Sequence, residues 1–293
     1  MPRYAYINGS YVFHNDATVH IEDRGFQLAD GVYEVIACIH GHLADERGHM
    51  DRLERSLAEL DMPMPLDRAV FKLIMRELLR RNRIQNANIY IQVTRGVAKR
   101  DFPYPDNDLP QSVVITTRPF NYDGQAKMEH GAKAVTVPDI RWKRRDIKTT
   151  ALIAQVMAKQ RAVEQDAYEA WMVDEKGFIT EGASSNAWIV TKDGTLVTRK
   201  ATTDILRGVT RTALDAIRQD LQIKMEERSF TPQEAYEAEE AFNSSAVALV
   251  TPIVEIDGHK IGSGKPGKVT LRLYEEYRAY VEGLRGAQLG WKA

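Results

Sequence analysis

Apolar and polar positions alternate in short, turn-bounded runs at the start of the chain. Tyr4 to Ile7 and Tyr11 to Phe13 flank Asn8-Gly9, a pair that readily takes the positive φ of a tight hairpin, and so predict two antiparallel strands. The period then lengthens. Met50, Leu53, Leu57 and Leu60 recur at helical spacing, and Asp67 stands as an N-cap before a second helical set, Val70, Leu73, Ile74 and Leu78. Ile89, Ile91 and Val93 alternate with Tyr90, Gln92 and Thr94, and Ser112 to Thr117 is another β-rich run. Strands and helices mix here without the regular βαβ rhythm of a doubly wound sheet, so the first half reads as α+β.

Arg118-Pro119-Phe120-Asn121-Tyr122-Asp123-Gly124 is rich in turn formers and lies between periodic segments, which marks a linker. The expected division is a smaller α+β domain at 1–117, the linker at 118–124 and a larger domain at 125–293, since 293 residues exceed one ordinary core. In the second part, strands are expected at 132–137, 170–173, 187–190 and 195–198. A long helix is expected over about 150–166, another from near Gly208, and a charged amphipathic helix over 269–284. Both halves read as α+β, with no internal repeat.

Charge narrows the function. Lys plus Arg number 40 against 41 Asp plus Glu, a net charge of -1 that offers no overall field to a polyanion. A nucleic-acid role would need a local patch, and the candidate is Arg141-Trp142-Lys143-Arg144-Arg145-Asp146-Ile147-Lys148. It is isolated, carries one aromatic, and runs into Ala151-Leu152-Ile153-Ala154, which reads as the start of a buried helix. A lysine on such an apolar junction is partly desolvated, and its neutral amine can attack an aldehyde. Composition alone does not select Lys148.

The single Cys38 excludes an internal disulfide or a cysteine-based zinc site and reads as a small buried hydrophobe in a reducing compartment. No signal-like segment and no run of about 18 apolar residues is present, so a soluble, cytoplasmic protein is expected. His40, Gly41, His42 and His49 read as a turn rather than a metal site, and no metal is expected. Gly258 to Lys265 fails as a phosphate loop because Ser263 stands where the second Gly belongs and Pro266 where a Ser or Thr would hold magnesium. Leu206-Arg207-Gly208-Val209-Thr210-Arg211 reads either as a plain helix start or as an anion cradle of free backbone N–H groups. Within the tight turn Thr180-Glu181-Gly182-Ala183-Ser184-Ser185-Asn186, Glu181 is either a solvated carboxylate or a partner for a cationic ring.

Taken in order, these pieces resemble the fold-type IV (class IV) pyridoxal-phosphate-dependent aminotransferases, and among them most nearly the D-amino-acid aminotransferases. The stretches that carry the resemblance are Glu22 to Gln27, Asp30 to Val35, His49 to Leu53, Gln92 to Gly96, Asp146 to Lys148, Thr180 to Asn186 and Gly208 to Arg211, nearly the whole chain. The resemblance implies a two-domain α+β homodimer whose larger, α/β-barrel-like domain carries the cofactor lysine, with its site between the domains. It implies that Lys148 binds pyridoxal 5'-phosphate and carries a proton between the substrate Cα and cofactor C4′. Glu181 is expected to pair with the pyridinium nitrogen, Leu206 to pack on the ring, and Val209, Thr210 and Arg52 to hold the phosphate. Ser184, Ser245 and Ala246 complete the expected cofactor residues, the Ser244-Ser245-Ala246 turn closing over the phosphate.

In that family a Tyr, an Arg and a His two residues further on hold the substrate carboxylate; here the positions read Tyr33, Arg100 and Phe102. The missing histidine removes one donor, and Asp101 adds a competitor for the guanidinium. Ala246-Val247 likewise stands where the family has hydroxyl residues. The expected reaction is transamination between a D-amino acid and a 2-oxo acid such as 2-oxoglutarate, with small molecules as partners and neither nucleic acid nor membrane. The rivals on the same fold are a branched-chain L-amino-acid aminotransferase, an (R)-amine transaminase and aminodeoxychorismate lyase. A basic-patch nucleic-acid-binding protein is the alternative from another class.

Overall fold

The computed structural model describes residues 3–105, 109–122 and 125–284; Asp123 and Gly124 of the expected linker lie outside the described residues. Two units emerge, Met1–Asn121 with Ile147–Ala151, and Tyr122–Asp146 with Leu152–Ala293. The lysine segment therefore belongs with the first unit, whereas the sequence reading placed it with the second.

In the first unit, the hairpin forms as β1 (Tyr4–Ile7) and β2 (Ser10–Phe13), turning through Asn8 and Gly9 at φ 44° and 93°. After the short helix α1 (Arg24–Leu28) come β3 (Gly31–Ile39), β4 (His42–Leu43), α2 (Glu46–Ala58), α3 (Arg68–Asn82), β5 (Ala87–Thr94) and β6 (Ser112–Pro119). The strands make one antiparallel sheet in the order β2-β1-β6-β5-β3-β4. His40 and Gly41 do form a turn, at φ 50° and 81° between β3 and β4.

Strand alternation divides this sheet into two faces. Val32, Ile36 and Cys38 of β3 and Ile89, Ile91 and Val93 of β5 form one core with Met50, Leu53 and Leu57 of α2 and Phe71, Ile74 and Leu78 of α3. Tyr33, Val35, Tyr90 and Gln92 occupy the other face, half-buried. Helical periodicity located α3 and its N-cap Asp67, but only part of its apolar set turns inward: Ile74 and Leu78 are buried while Val70 and Leu73 face out.

The strand β4 pairs only with Cys38 and Ile39, which leaves the beginning of β3 with an open edge. Residues 148–150 close it. Tyr33 N–H donates to Lys148 C=O at 2.9 Å, Thr150 N–H donates to Gly31 C=O at 3.0 Å, and Val32 bridges Thr149. Ile147 sinks into the first core, so the backbone of Lys148 is anchored on both sides.

Glu34 interrupts the apolar face of β3 and is fully buried, at 0% exposure. Its partners come from one face of α2, at positions one turn apart. Arg52 donates through Nε at 2.6 Å and Nη2 at 2.8 Å, and His49 Nδ1 lies 2.8 Å away. Burial alone would push this carboxyl up, but the Arg52 charge and the Arg52 and His49 hydrogen bonds reverse that and hold it well below the usual carboxylate range.

The second unit contains α4 (Gln125–His130), β7 (Ala132–Pro138), α5 (Ile153–Glu164), β8 (Glu169–Val173), β9 (Ile179–Gly182), β10 (Asn186–Val190), β11 (Leu196–Thr198), α6 (Val209–Asp220), β12 (Met225–Glu227), α7 (Pro232–Tyr236), β13 (Glu240–Ser245), β14 (Leu249–Ile256), β15 (His259–Lys260) and α8 (Lys268–Val281). Its sheet runs β12-β11-β10-β13-β14-β7-β8-β9, with β15 beside β14. The pairs β11-β12, β14-β7 and β7-β8 are parallel and the others antiparallel, so α+β holds here too. Trp171, Ile189, Val197, Phe230 and Ile253 are central to its main core.

The start of α5 departs from expectation. Ile153, Val156, Met157 and Val163 face outward, and the helix buries only the small Ala158 and Ala162 against Val135, Ala170 and Met172. Small residues let the helix sit close to the sheet, and the larger apolar side chains are left on its far side. No helix among the described residues is long and apolar enough to cross a membrane.

Two variants test this reading of the first core. Leu53→Ala, at 0% exposure, should cost about 2–5 kcal/mol in urea unfolding, whereas Leu73→Ala, at 67% exposure, should stay within about 0.5 kcal/mol. Because Glu34 titrates lower when folded than when unfolded, its contribution is present above roughly pH 4.3 and fades as pH falls through the folded value. The stability gap between wild type and Glu34→Gln should therefore be widest near neutrality and narrow on acidification; a gap constant from pH 7 to 3 would refute the ionised assignment.

Candidate active site

The open face of the first sheet carries an amine beside aromatic rings. Lys148 Nζ sits 4.2 Å from the centroid of the Tyr33 ring, a cation–π distance. Tyr33 stacks on Tyr90 at 5.6 Å, and the Tyr90 hydroxyl donates to Gln92 Oε1 at 2.7 Å. Burial, with a smaller contribution from Tyr33, pushes the Tyr90 hydroxyl up to about 12, so it remains a donor at any ordinary pH. Ser56 Oγ of α2 accepts from the Lys148 backbone N–H at 3.4 Å. The same helix carries Arg52, whose guanidinium is fixed in its plane by the Glu34 fork.

The loop that contains Arg100 and Phe102 is pinned from below. Arg24 Nε and Arg95 Nε each donate to Asp30 Oδ2 at 2.8 Å, Arg24 Nη1 donates to Asp101 C=O at 2.7 Å, and Arg95 lies 3.6 Å under the Tyr104 ring. Arg100 is exposed and Phe102 is 81% exposed, so within the single chain neither joins the Tyr33 group. The Asp101 carboxylate accepts from the Phe102 N–H at 2.8 Å.

In the second unit, Glu181 lies at the end of β9 and is buried. It accepts from Arg141 Nη1, from the Leu206 N–H at 3.1 and 3.2 Å, and from Asn186 Nδ2 at 3.1 Å. Burial pushes its carboxyl above the usual range, and the Arg141 charge and hydrogen bonds pull the other way. Arg141 itself stays cationic: burial opposes its charge, but Glu181 and Asp139 more than offset that. Asn186 also donates to Leu206 C=O at 2.9 Å. It presses so close to the chain that a Cβ on Gly208 would meet its Oδ1 at 2.1 Å, which explains the glycine.

Gly208 opens α6 without a side-chain cap, and among the described residues no side chain accepts from the N–H groups of Val209, Thr210 or Arg211. Here α8 provides a contrast. Its N-cap is also a glycine, Gly267, but Glu240 reaches over to accept from Val269 N–H at 2.9 Å and Thr270 N–H at 2.8 Å. One helix start is filled by the protein's own carboxylate, and the other leaves its dipole and first donors without a side-chain acceptor among the described residues. The Thr210 hydroxyl lies 3.3 Å from Tyr277 Oη of α8. In the β13–β14 turn, Ser244 Oγ accepts from Trp188 Nε1 at 2.9 Å and Ser245 Oγ from Ala248 N–H at 3.1 Å, with Ala246 half-buried between them and β14. Ser184 Oγ donates to the buried Glu169 at 2.9 Å.

Sequence reasoning missed Arg141, Asp139, Asn186, Glu34 and His49. Only Glu34 carried a local signal, a carboxylate in phase with Val32 and Ile36 on the inward face of a strand. The basic run is not a uniform solvent-facing strip: Trp142 and Lys143 are exposed, but Arg141 is paired with Asp139 and Glu181, Arg145 lies 3.4 Å from Asp139, and Arg144 is paired with Asp146.

Comparison with known proteins places this geometry. Residues 31–256 match the amino-transferase class IV family. The chain is 39% identical over 280 residues to the D-alanine aminotransferase of Staphylococcus haemolyticus, spanning 94% of this chain and 97% of that protein. It is 37% identical over 273 residues to that of Listeria innocua serovar 6a, spanning 92% and 93%. Among solved structures it resembles the branched-chain aminotransferase of the thermophilic archaeon Thermoproteus uzoniensis with norvaline, at TM-score 0.87 and 28% identity over 99% and 98% of the two chains. The Escherichia coli branched-chain amino acid aminotransferase gives a TM-score of 0.90 and 26% identity over 99% and 98%. A buried carboxylate, an uncapped helix start and a lysine on an aromatic face thus occur together in a chain that belongs to the class IV aminotransferases.

Proposed function

We propose that this class IV aminotransferase uses pyridoxal 5'-phosphate to move the amino group of a D-amino acid to a 2-oxo acid such as 2-oxoglutarate. The observation that carries the reading is Lys148 Nζ at 4.2 Å from the Tyr33 ring, an amine and a phenol sharing one sheet face. The D-alanine aminotransferases at 36–39% identity support the D-amino-acid assignment over the branched-chain enzymes at 26% and 28%.

The residues present suit such a cofactor. Glu181 is a buried carboxyl whose arginine partner favours its charged form, matched to a ring cation; the α6 start, with Val209 and Thr210, supplies backbone donors for a phosphate, and Arg52 supplies a cation; Lys148 is the amine for an aldehyde. Leu206 is placed by its own N–H and C=O, which bond to Glu181 and Asn186, and offers its side chain to a ring face. When bound, the cofactor supplies an aldehyde that takes up the amino group and a cationic ring that draws electrons from the substrate Cα.

The chain's own residues do the rest. Lys148 Nζ takes the proton from the substrate Cα and delivers it to the cofactor carbon that carried the aldehyde. Tyr33 orients the substrate carboxylate, while Ser184, Ser245 and Ala246 line the cofactor; Arg100, exposed and apart from Tyr33 within one chain, would reach that carboxylate only from a second copy of the chain. The carboxylate grip is formed without the histidine that Phe102 replaces. Loss of one such bond corresponds to roughly 1.5–3 kcal/mol, about tenfold or more in binding. The enzyme acts as a homodimer in the cytoplasm: the outward apolar side chains of α5 suit an interface, and a chain with a single cysteine suits a reducing compartment.

Half-reactions followed by cofactor absorbance test the assignment. D-alanine or D-glutamate should bleach the visible band rapidly and L-leucine slowly; bleaching by L-leucine alone would move the chain to the branched-chain class. Lys148→Ala should lose transamination and the borohydride-reducible link, and wild-type turnover in that variant would refute its role. Gly208→Ala should displace Asn186 and weaken cofactor retention about tenfold or more. Unchanged dissociation on dialysis against inorganic phosphate would count against α6 as the anion site.

A further inference from the structure

We propose that Arg141, itself fixed by Asp139, is a positioning residue that favours the carboxylate form of Glu181 and holds it in one orientation toward the ring nitrogen of the cofactor. The inference rests on the reading of Glu181 as the ring partner.

Among the described residues three groups donate to Glu181, and two of them, Asn186 Nδ2 and the Leu206 N–H, are neutral. Arg141 Nη1 is the donor that brings charge, to a carboxylate that burial would otherwise drive toward its protonated form. A protonated acid would leave the ring nitrogen without its counter-ion.

The guanidinium does not reach Glu181 by chance of rotamer. Its other edge is clasped by Asp139, Nε to Oδ1 at 2.9 Å and Nη2 to Oδ2 at 2.7 Å, and the Arg141 backbone N–H donates to the same Oδ1 at 3.1 Å. Thr180, the neighbour of Glu181 on β9, donates its hydroxyl to Asp139 Oδ2 at 2.7 Å, and the Asp139 side chain is fully buried. A planar fork with two usable edges is needed to serve both acids at once, which a lysine ammonium does not provide.

Asp139 has a second effect. A lone arginine against Glu181 would compete with the ring cation for the same carboxylate. With Asp139 on its far edge, Arg141 steadies Glu181 while its charge is already shared, and Glu181 retains attraction for a second cation. Arg145, 3.4 Å from Asp139, adds to the hold on that acid.

The test uses full-length apoprotein titrated with pyridoxal 5'-phosphate and with its 1-deaza analogue, in which CH replaces the ring nitrogen. The preference between the two isolates the Glu181 contact. Wild type should prefer the natural cofactor, and Glu181→Gln should abolish that preference. Arg141→Gln should reduce it about tenfold or more, and Arg141→Lys should not restore it. Asp139→Asn should lower it in the same direction and stands in for Arg141→Gln if that variant does not fold. Equal weakening of both ligands in Arg141→Gln, with the preference intact, would make Arg141 a packing residue and overturn the proposal. A preference unchanged in Glu181→Gln would instead overturn the underlying assignment of Glu181.

Discussion

A carboxylate taken out of water keeps its charge only where a cation meets it, and Glu34 and Glu181 impose that requirement on the two units of this chain. In the first unit the demand falls on α2, which must present His49 and Arg52 to β3 with their spacing of one turn. The helix is thereby held in rotation and height as well as in contact. In the second unit it falls on the segment after β7, the start of β10 and the turn before α6, which converge through Arg141, Asn186 and Leu206. Removing either cation would leave a charge with nowhere to go, a larger penalty than the loss of an ordinary surface pair.

Apolar packing and ion pairing therefore have different duties. The clusters around Ile36, Leu53 and Phe71, and around Trp171 and Phe230, supply most of the driving force for folding but tolerate shifts of side-chain position. The buried pairs tolerate little, because a guanidinium fork accepts its partner in few geometries. The two glycine-started helices show the same selectivity of placement. Glu240 commits a carboxylate to closing α8, whereas α6 starts without a side-chain cap.

Much of the fold is visible in local pattern. The Asn8-Gly9 hairpin, the helical sets of α2 and α3, the alternation of β5 and the start of α6 all follow from spacing and turn chemistry. What escaped was non-local. Strands β13 and β14 are buried almost throughout, so they lack the alternation that marks a half-exposed strand. On α5, periodicity reports that one face is apolar but not which face meets the sheet, and the choice went to Ala158 and Ala162. Arg141 sits in a run of cations that looks like solvated surface; only folding brings Glu181, forty positions away, against it. Lys148, Glu181 and Arg52 were singled out only by the order of short motifs along the chain, since no single motif distinguished them from ordinary surface residues.

The first unit is discontinuous in sequence, and this has a consequence for its biogenesis. Residues 1–121 emerge from the ribosome without Ile147, a member of their core, and without the strand-like segment that closes the open edge of β3. Until residue 151 has left the exit tunnel, the nascent chain carries an unpaired strand edge beside an unfilled hydrophobic gap, a feature that invites association with other chains. The N-terminal unit therefore cannot complete its fold first and independently, and the peptide that carries Lys148 serves as the last piece of a domain begun more than a hundred residues earlier.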